Sequence, residues 1–149
     1  MWTLTHSVSC RADVTFAWRF WTDVENWVVD PAVDTVSVEP GFVPGGRGTT
    51  VTRDGARTQW HIREIMPLGH ARLEIPAPGA ALHITWTFEP RNGGGSVLRQ
   101  EMSLTGERAA EYEQELAPVL DTSVPAGMQR LATAIDTAYD NEQQSGSGA

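Results

Sequence analysis

The sequence predicts an α+β fold: a curved antiparallel sheet of six to seven strands wrapped around one long C-terminal helix, with two short helices after strand one. Three observations predict it. Segments that alternate polar and apolar residues recur between Trp2 and Thr105, separated by Gly- and Pro-rich turns. From Glu107 the apolar residues recur at three- and four-residue steps, the period of a helix. Between the first two alternating segments lies "FAWRFWTDVENWVVDPAV", a helix-spaced stretch that carries three of the six tryptophans, Trp18, Trp21 and Trp27.

The elements follow in order. In "WTLTHSVSC", Trp2, Leu4, His6, Val8 and Cys10 share one face and Thr3, Thr5, Ser7 and Ser9 the other, as in a strand with one wet side. Asp13 is placed to cap a short helix over "VTFAWRFWTDV", with an apolar stripe at Phe16, Phe20 and Val24 flanked by Ala17 and Trp21. A second short helical turn, "VENW", ends before Pro31, because a residue preceding proline avoids the α region. "AVDTVSVEP" is a strand closed by Pro40 and Gly41. "TTVTRDG" and "RTQWHIREI" form a hairpin about "DGA". "ARLEI" and "ALHITWTFEP" form the next pair, and "SVLRQEMSLTG" returns after "RNGGG". The closing helix carries Tyr112, Leu116, Val119, Leu120, Met128, Leu131, Ile135 and Tyr139 on its stripe. Pro118 and Pro125 are expected to break or kink it, with Ser123 capping the last segment. The domain is expected to run from residue 1 to 140, and the small polar residues 141–149 to be a disordered tail.

Composition excludes several classes of function. The formal net charge is −8, and the eleven basic residues, all Arg, are scattered. Nucleic acid and anionic membrane surfaces need clustered cations, so neither is expected as a partner. No stretch approaches the 18 apolar residues of a spanning helix, so no membrane insertion is expected. No basic segment precedes a long apolar run at the N-terminus, so no signal peptide is read and a cytoplasmic location is the expectation. Cys10 is the single cysteine, inward and without a basic neighbour on its face, which is a poor setting for a nucleophile. The four histidines lie on different strands and turns without ligand spacing, so no metal site is expected, and no cofactor motif is present. No catalytic residue can be assigned.

The apolar faces of sheet and helix must bury each other, and a curved sheet around one helix need not fill the space between them. That space is the expected site. Trp60, Ile62, Ile84, Trp86 and Met102 face inward from the middle and last strands, with Gln100 as an inward amide able to orient a carbonyl or hydroxyl. Met128 and Leu131 supply the helix wall, beside small residues Ala126, Ala132 and Ala134. Trp27 is expected near the mouth. His6, on the apolar face of strand one, is the remaining polar candidate.

"TFAWRFWTDVENW" followed by "DPAV", together with "WHIREIMP", "TWTFEP" and "PAGMQRLATAID", resembles the START/polyketide-cyclase-like (SRPBCC) superfamily over nearly the whole chain. Val29 stands where that pattern has a further aromatic, which makes the rim less aromatic. The resemblance implies the helix-grip fold and the binding of a small hydrophobic molecule: lipid-, polyketide- or aromatic-like. A polyketide cyclase/aromatase-type enzyme using the same cavity and a co-chaperone-like interaction module are its alternatives. Monomer and homodimer are both open.

Overall fold

The computed structural model describes residues 2–147. Its strands are β1 (Thr3–Cys10), β2 (Val33–Glu39), β3 (Arg47–Thr52), β4 (Arg57–Met66), β5 (His70–Ala77), β6 (Ala80–Pro90) and β7 (Ser96–Thr105). They form one antiparallel sheet in the order β1-β7-β6-β5-β4-β3-β2. Register irregularities at Val33/Thr35 in β2 and Ile62/Glu64 in β4 add local bend to the sheet. Helix α1 (Val14–Thr22), a 3₁₀ helix (Val24–Val29) and the long helix α2 (Ala109–Ser147) complete the fold. It is the helix-grip arrangement expected from the sequence.

Topology explains the aromatic stretch. β1 and β2 are consecutive in the chain but lie at opposite edges of the sheet. The residues between them must therefore cross its whole width, and α1 and the 3₁₀ helix make that crossing. Their apolar side chains close one end of the sheet's concavity. Asp13 caps α1 by accepting the Phe16 N–H at 2.8 Å, and Asp23 caps the 3₁₀ helix by accepting from Glu25. The buried stripe differs from the expected one. Ala17, Trp18, Trp21 and Val24 are buried, whereas Phe16 and Phe20 are half-buried at its edge. Phe16 instead meets Tyr139 of α2 edge-to-face, with centroids 5.2 Å apart.

α2 is one unbroken helix through Pro118 and Pro125, so the expected break does not occur and Ser123 is an interior residue, not a cap. Each proline removes one N–H, freeing the carbonyl of Gln114 or Asp121. Both residues are exposed, so water can take the bond that the helix loses. Val119, expected on the stripe, is 60% exposed. The tail expected to be disordered from residue 141 is helical to Ser147, and residues 148–149 lie outside the described residues.

The C-terminal half of α2 is pinned to the end of β1. The Asp136 carboxylate accepts the backbone N–H of Arg11 at 2.9 Å and of Ala12 at 3.1 Å. Arg11 also pairs with Asp140 through both guanidinium nitrogens, at 2.8 and 2.9 Å, but in full solvent. The two contacts differ in worth. Asp136→Ala leaves two backbone donors without their charged acceptor, and is expected to lower stability by about 1.5–3 kcal/mol in urea unfolding. Arg11→Ala removes the exposed pair with Asp140 and a long, 3.7 Å contact of its Nε with Asp136, leaves both backbone donors bonded, and is expected to change the same midpoint less.

Candidate functional site

A cavity of about 390 Å³ lies between the concave face of the sheet and α2, within the range of small-molecule pockets. Four indoles form much of its wall: Trp21 from α1, Trp27 from the 3₁₀ helix, Trp60 from β4 and Trp86 from β6. They belong to one ring cluster. Trp27 stacks on Trp60 at 5.0 Å and on Trp21 at 5.8 Å, and Trp21 meets Trp86 at 5.2 Å. The Trp27 indole N–H donates to the Trp21 carbonyl at 2.7 Å, which holds the ring in place. The Trp60 N–H donates to Thr50 Oγ1 at 3.1 Å. Trp60 lies across Gly48, its partner on β3, where an added Cβ would fall 2.1 Å from the ring. Glycine there is what lets the indole lie flat on the sheet.

Of the residues expected at the site, Trp27, Trp60, Ile84, Trp86, Gln100, Met102, Met128 and Leu131 line this cavity together. Ile62 and His6 do not. Ile62 is buried against the loop before β3, its side chain in the path of any Cβ at Gly46. His6 is half-buried on the edge strand β1, beside Gln100 in register, in the part of the sheet that α2 covers. The sequence reading missed Asp30, Thr50, Thr58, Ser123, Val124 and Gly127, which also line the space. It expected Ala126, Ala132 and Ala134 to make room on the helix. None of them is in the lining, and Ala126 is exposed. The room comes from Gly127, whose added Cβ would meet nothing within 4 Å.

Polar groups in the lining are few. Among the described residues Asp30 is its single charged side chain, and no Arg or His reaches it. Asp30 sits where the 3₁₀ helix ends and accepts the Ala32 N–H at 2.9 Å. Two polar residues are buried in the whole described chain, Ser96 and Gln100. Ser96 donates to the Ala12 carbonyl at 2.8 Å. Gln100 is 8% exposed and its side-chain amide has no hydrogen-bond partner among the described residues. Among the described residues no buried side-chain N or O is both sealed off and unpartnered, so the amide keeps open surface in the cavity it lines.

Cys10 is buried, and burial pushes its thiol up to about 11. The Asp136 charge adds to the rise and a hydrogen bond with Ser96 opposes it. The thiol therefore keeps its proton at neutral pH and is no nucleophile. Among the described residues no group of three or more His, Cys, Asp or Glu side chains converges. No described helix is long and apolar enough to cross a membrane.

The family described as polyketide cyclase/dehydrase and lipid transport matches residues 1–136. The chain belongs to that family. A search of curated proteins gives no match. Solved structures share the fold at low identity. The di-domain ARO/CYC BexL from the BE-7585A biosynthetic pathway superposes with a TM-score of 0.74 at 17% identity, over 89% of this chain and 46% of that one. The chain thus spans about half the length of that two-domain protein. Norcoclaurine synthase from Thalictrum flavum, solved with dopamine and hydroxybenzaldehyde, gives 0.69 at 10% identity, over 90% of this chain and 86% of that one. Protein NE0264 from Nitrosomonas europaea gives 0.74 at 12% identity, over 93% and 96%. For this polyketide cyclase/dehydrase-family chain, these likenesses establish the helix-grip fold.

Proposed function

We propose that the protein binds a small hydrophobic molecule in the cavity between its sheet and α2. The observation that carries this reading is an apolar, four-indole cavity of about 390 Å³ between the sheet and α2. Apolar walls with a few placed polar groups are the usual make-up of a ligand site. Family membership supports it, because the family's description covers both cyclisation and lipid transport. An aromatase/cyclase-type activity in the same cavity is the second reading, favoured by the fold shared with BexL and norcoclaurine synthase. In that case the walls would do the work by holding a reactive chain folded, with Asp30 the one lining carboxylate available for proton transfer.

Titration with the neutral probe N-phenylnaphthylamine tests the binding reading. The expected result is a saturable rise in probe fluorescence at one probe per chain, with matching quenching of the indole cluster. A native protein that takes up no probe, with an unfolding transition showing it intact, would overturn the proposal.

A further inference from the structure

We infer that Gln100 sets the specificity of the cavity: it selects neutral planar molecules carrying a hydroxyl or carbonyl, and the cavity rejects carboxylates, fatty-acid anions included. The inference rests on the binding reading above and adds the chemistry of what is bound.

The first ground is the amide itself. Buried polar side chains are almost always paired, and Ser96 obeys that rule. Gln100, more than nine-tenths buried, has no protein partner and opens onto the cavity. An amide offers both a donor and an acceptor, so it can meet either a carbonyl or a hydroxyl.

The second ground is position. In register Gln100 stands between Trp86 on β6 and His6 on β1. Trp86 lines the cavity and His6 does not. A planar molecule lying on the Trp86 ring therefore brings an edge substituent to Gln100. The neighbouring indoles Trp21, Trp27 and Trp60 favour flat rings over a flexible chain, because ring stacking adds to simple burial.

The third ground is charge. A carboxylate in this space would lose its water and find no cation among the lining residues. The lining's one charge, Asp30, is itself an anion, and the chain carries −8. The amide N–H could donate one bond to a carboxylate, but one neutral donor does not replace a hydration shell.

The test uses naphthol, naphthalene and naphthoate, which share a ring system and differ in the group presented. Binding is read at neutral pH, where naphthoate is ionised, by quenching of tryptophan fluorescence on the full chain. Naphthol is expected to bind about two- to tenfold more tightly than naphthalene, the worth of one neutral hydrogen bond. Naphthoate and dodecanoate are expected to bind on the order of a hundredfold more weakly than naphthol. Gln100→Leu is expected to erase the preference for naphthol, read as the ratio of the naphthol and naphthalene affinities in the same variant. Gln100→Met, an unbranched side chain of similar length, serves the same purpose if the leucine variant does not fold. Equal binding of naphthol and naphthalene by the wild type, or a preference that survives both variants, overturns the role of Gln100 while leaving the cavity a binding site. Tight binding of naphthoate or dodecanoate overturns the charge selection. Binding of none of the four molecules is the failure of the binding reading itself, and takes this inference with it.

Discussion

Trp21→Ala is expected to lower the stability of the protein by about 3–5 kcal/mol, the range for deleting a buried aromatic. Domains of this kind are stable by about 5–15 kcal/mol in all, so the loss is a large share. Trp21 is 2% exposed and sits at the hub of the ring cluster. Its ring meets Trp18, Trp27, Phe42, Trp86 and Phe88, with centroids 5.1 to 5.9 Å away. The backbone carbonyl that holds the Trp27 indole stays in the variant, so the loss is one of packing and not of a hydrogen bond. The void would open onto the existing cavity, which limits how far neighbours can collapse into it. Phe16→Ala provides the comparison. Phe16 is half-buried and its single ring partner is Tyr139, so its removal should cost much less. Urea unfolding of both variants decides the matter. A Trp21→Ala midpoint no lower than that of Phe16→Ala would show that the cluster is not the keystone of the closed end.

That hub shows how far the sequence could be read. Strand identity was legible because period two is a local signal, and β1, β6 and β7 present the faces expected of them. Depth on α1 was less legible. Phe16, Phe20 and Val24 make an apolar row, but of these only Val24 is buried; the larger Trp18 and Trp21 beside the row turn inward in place of the two phenylalanines. The prolines of α2 misled for a related reason. Their local penalty is real, but α2 buries Val124, Met128, Leu131 and Ile135 in the core, and that burial outweighs two exposed carbonyls without partners.

At the site, inward residues of long strands were found from alternation alone, because Ile84, Trp86, Gln100 and Met102 keep strict period two. His6 obeyed the same pattern and still fell outside the lining, since alternation gives a face but not a distance from the cavity. Thr50 and Thr58 are register partners across the β3–β4 hairpin, and Asp30, at the end of the 3₁₀ helix, joins them only because that helix crosses the sheet. No spacing in the chain announces that meeting. Gly127 did leave a signal: a glycine inside a helical stripe, between Val124 and Leu131, is a place where the helix gives up volume.

Gly127→Leu is therefore the substitution expected to act most strongly on binding. The glycine lies in the interior of α2, lines the cavity, and faces open space where a Cβ would stand. A leucine there puts four carbons into the volume that a ligand would use. Met128, the neighbouring candidate, is already 2% exposed and packed, so enlarging it to Trp would overpack the core at about 1–3 kcal/mol and confuse blocked binding with damaged folding. Gly127 avoids that confusion. A helix-interior glycine is less favourable than alanine by about 0.8–1 kcal/mol, and leucine is nearly as good a helix former as alanine. Folding should thus be unchanged or improved, with a urea midpoint at or above that of the wild type. Uptake of N-phenylnaphthylamine should fall by at least about tenfold, a loss of about 1.4 kcal/mol in binding. Gly127→Ala, with one added carbon, should fall between the two in affinity and gain the same helical stability. Opposite movement of stability and affinity along the series Gly, Ala, Leu is the signature of a cavity being filled. If affinity stays constant across the series, the probe binds somewhere other than the space between Trp86 and α2.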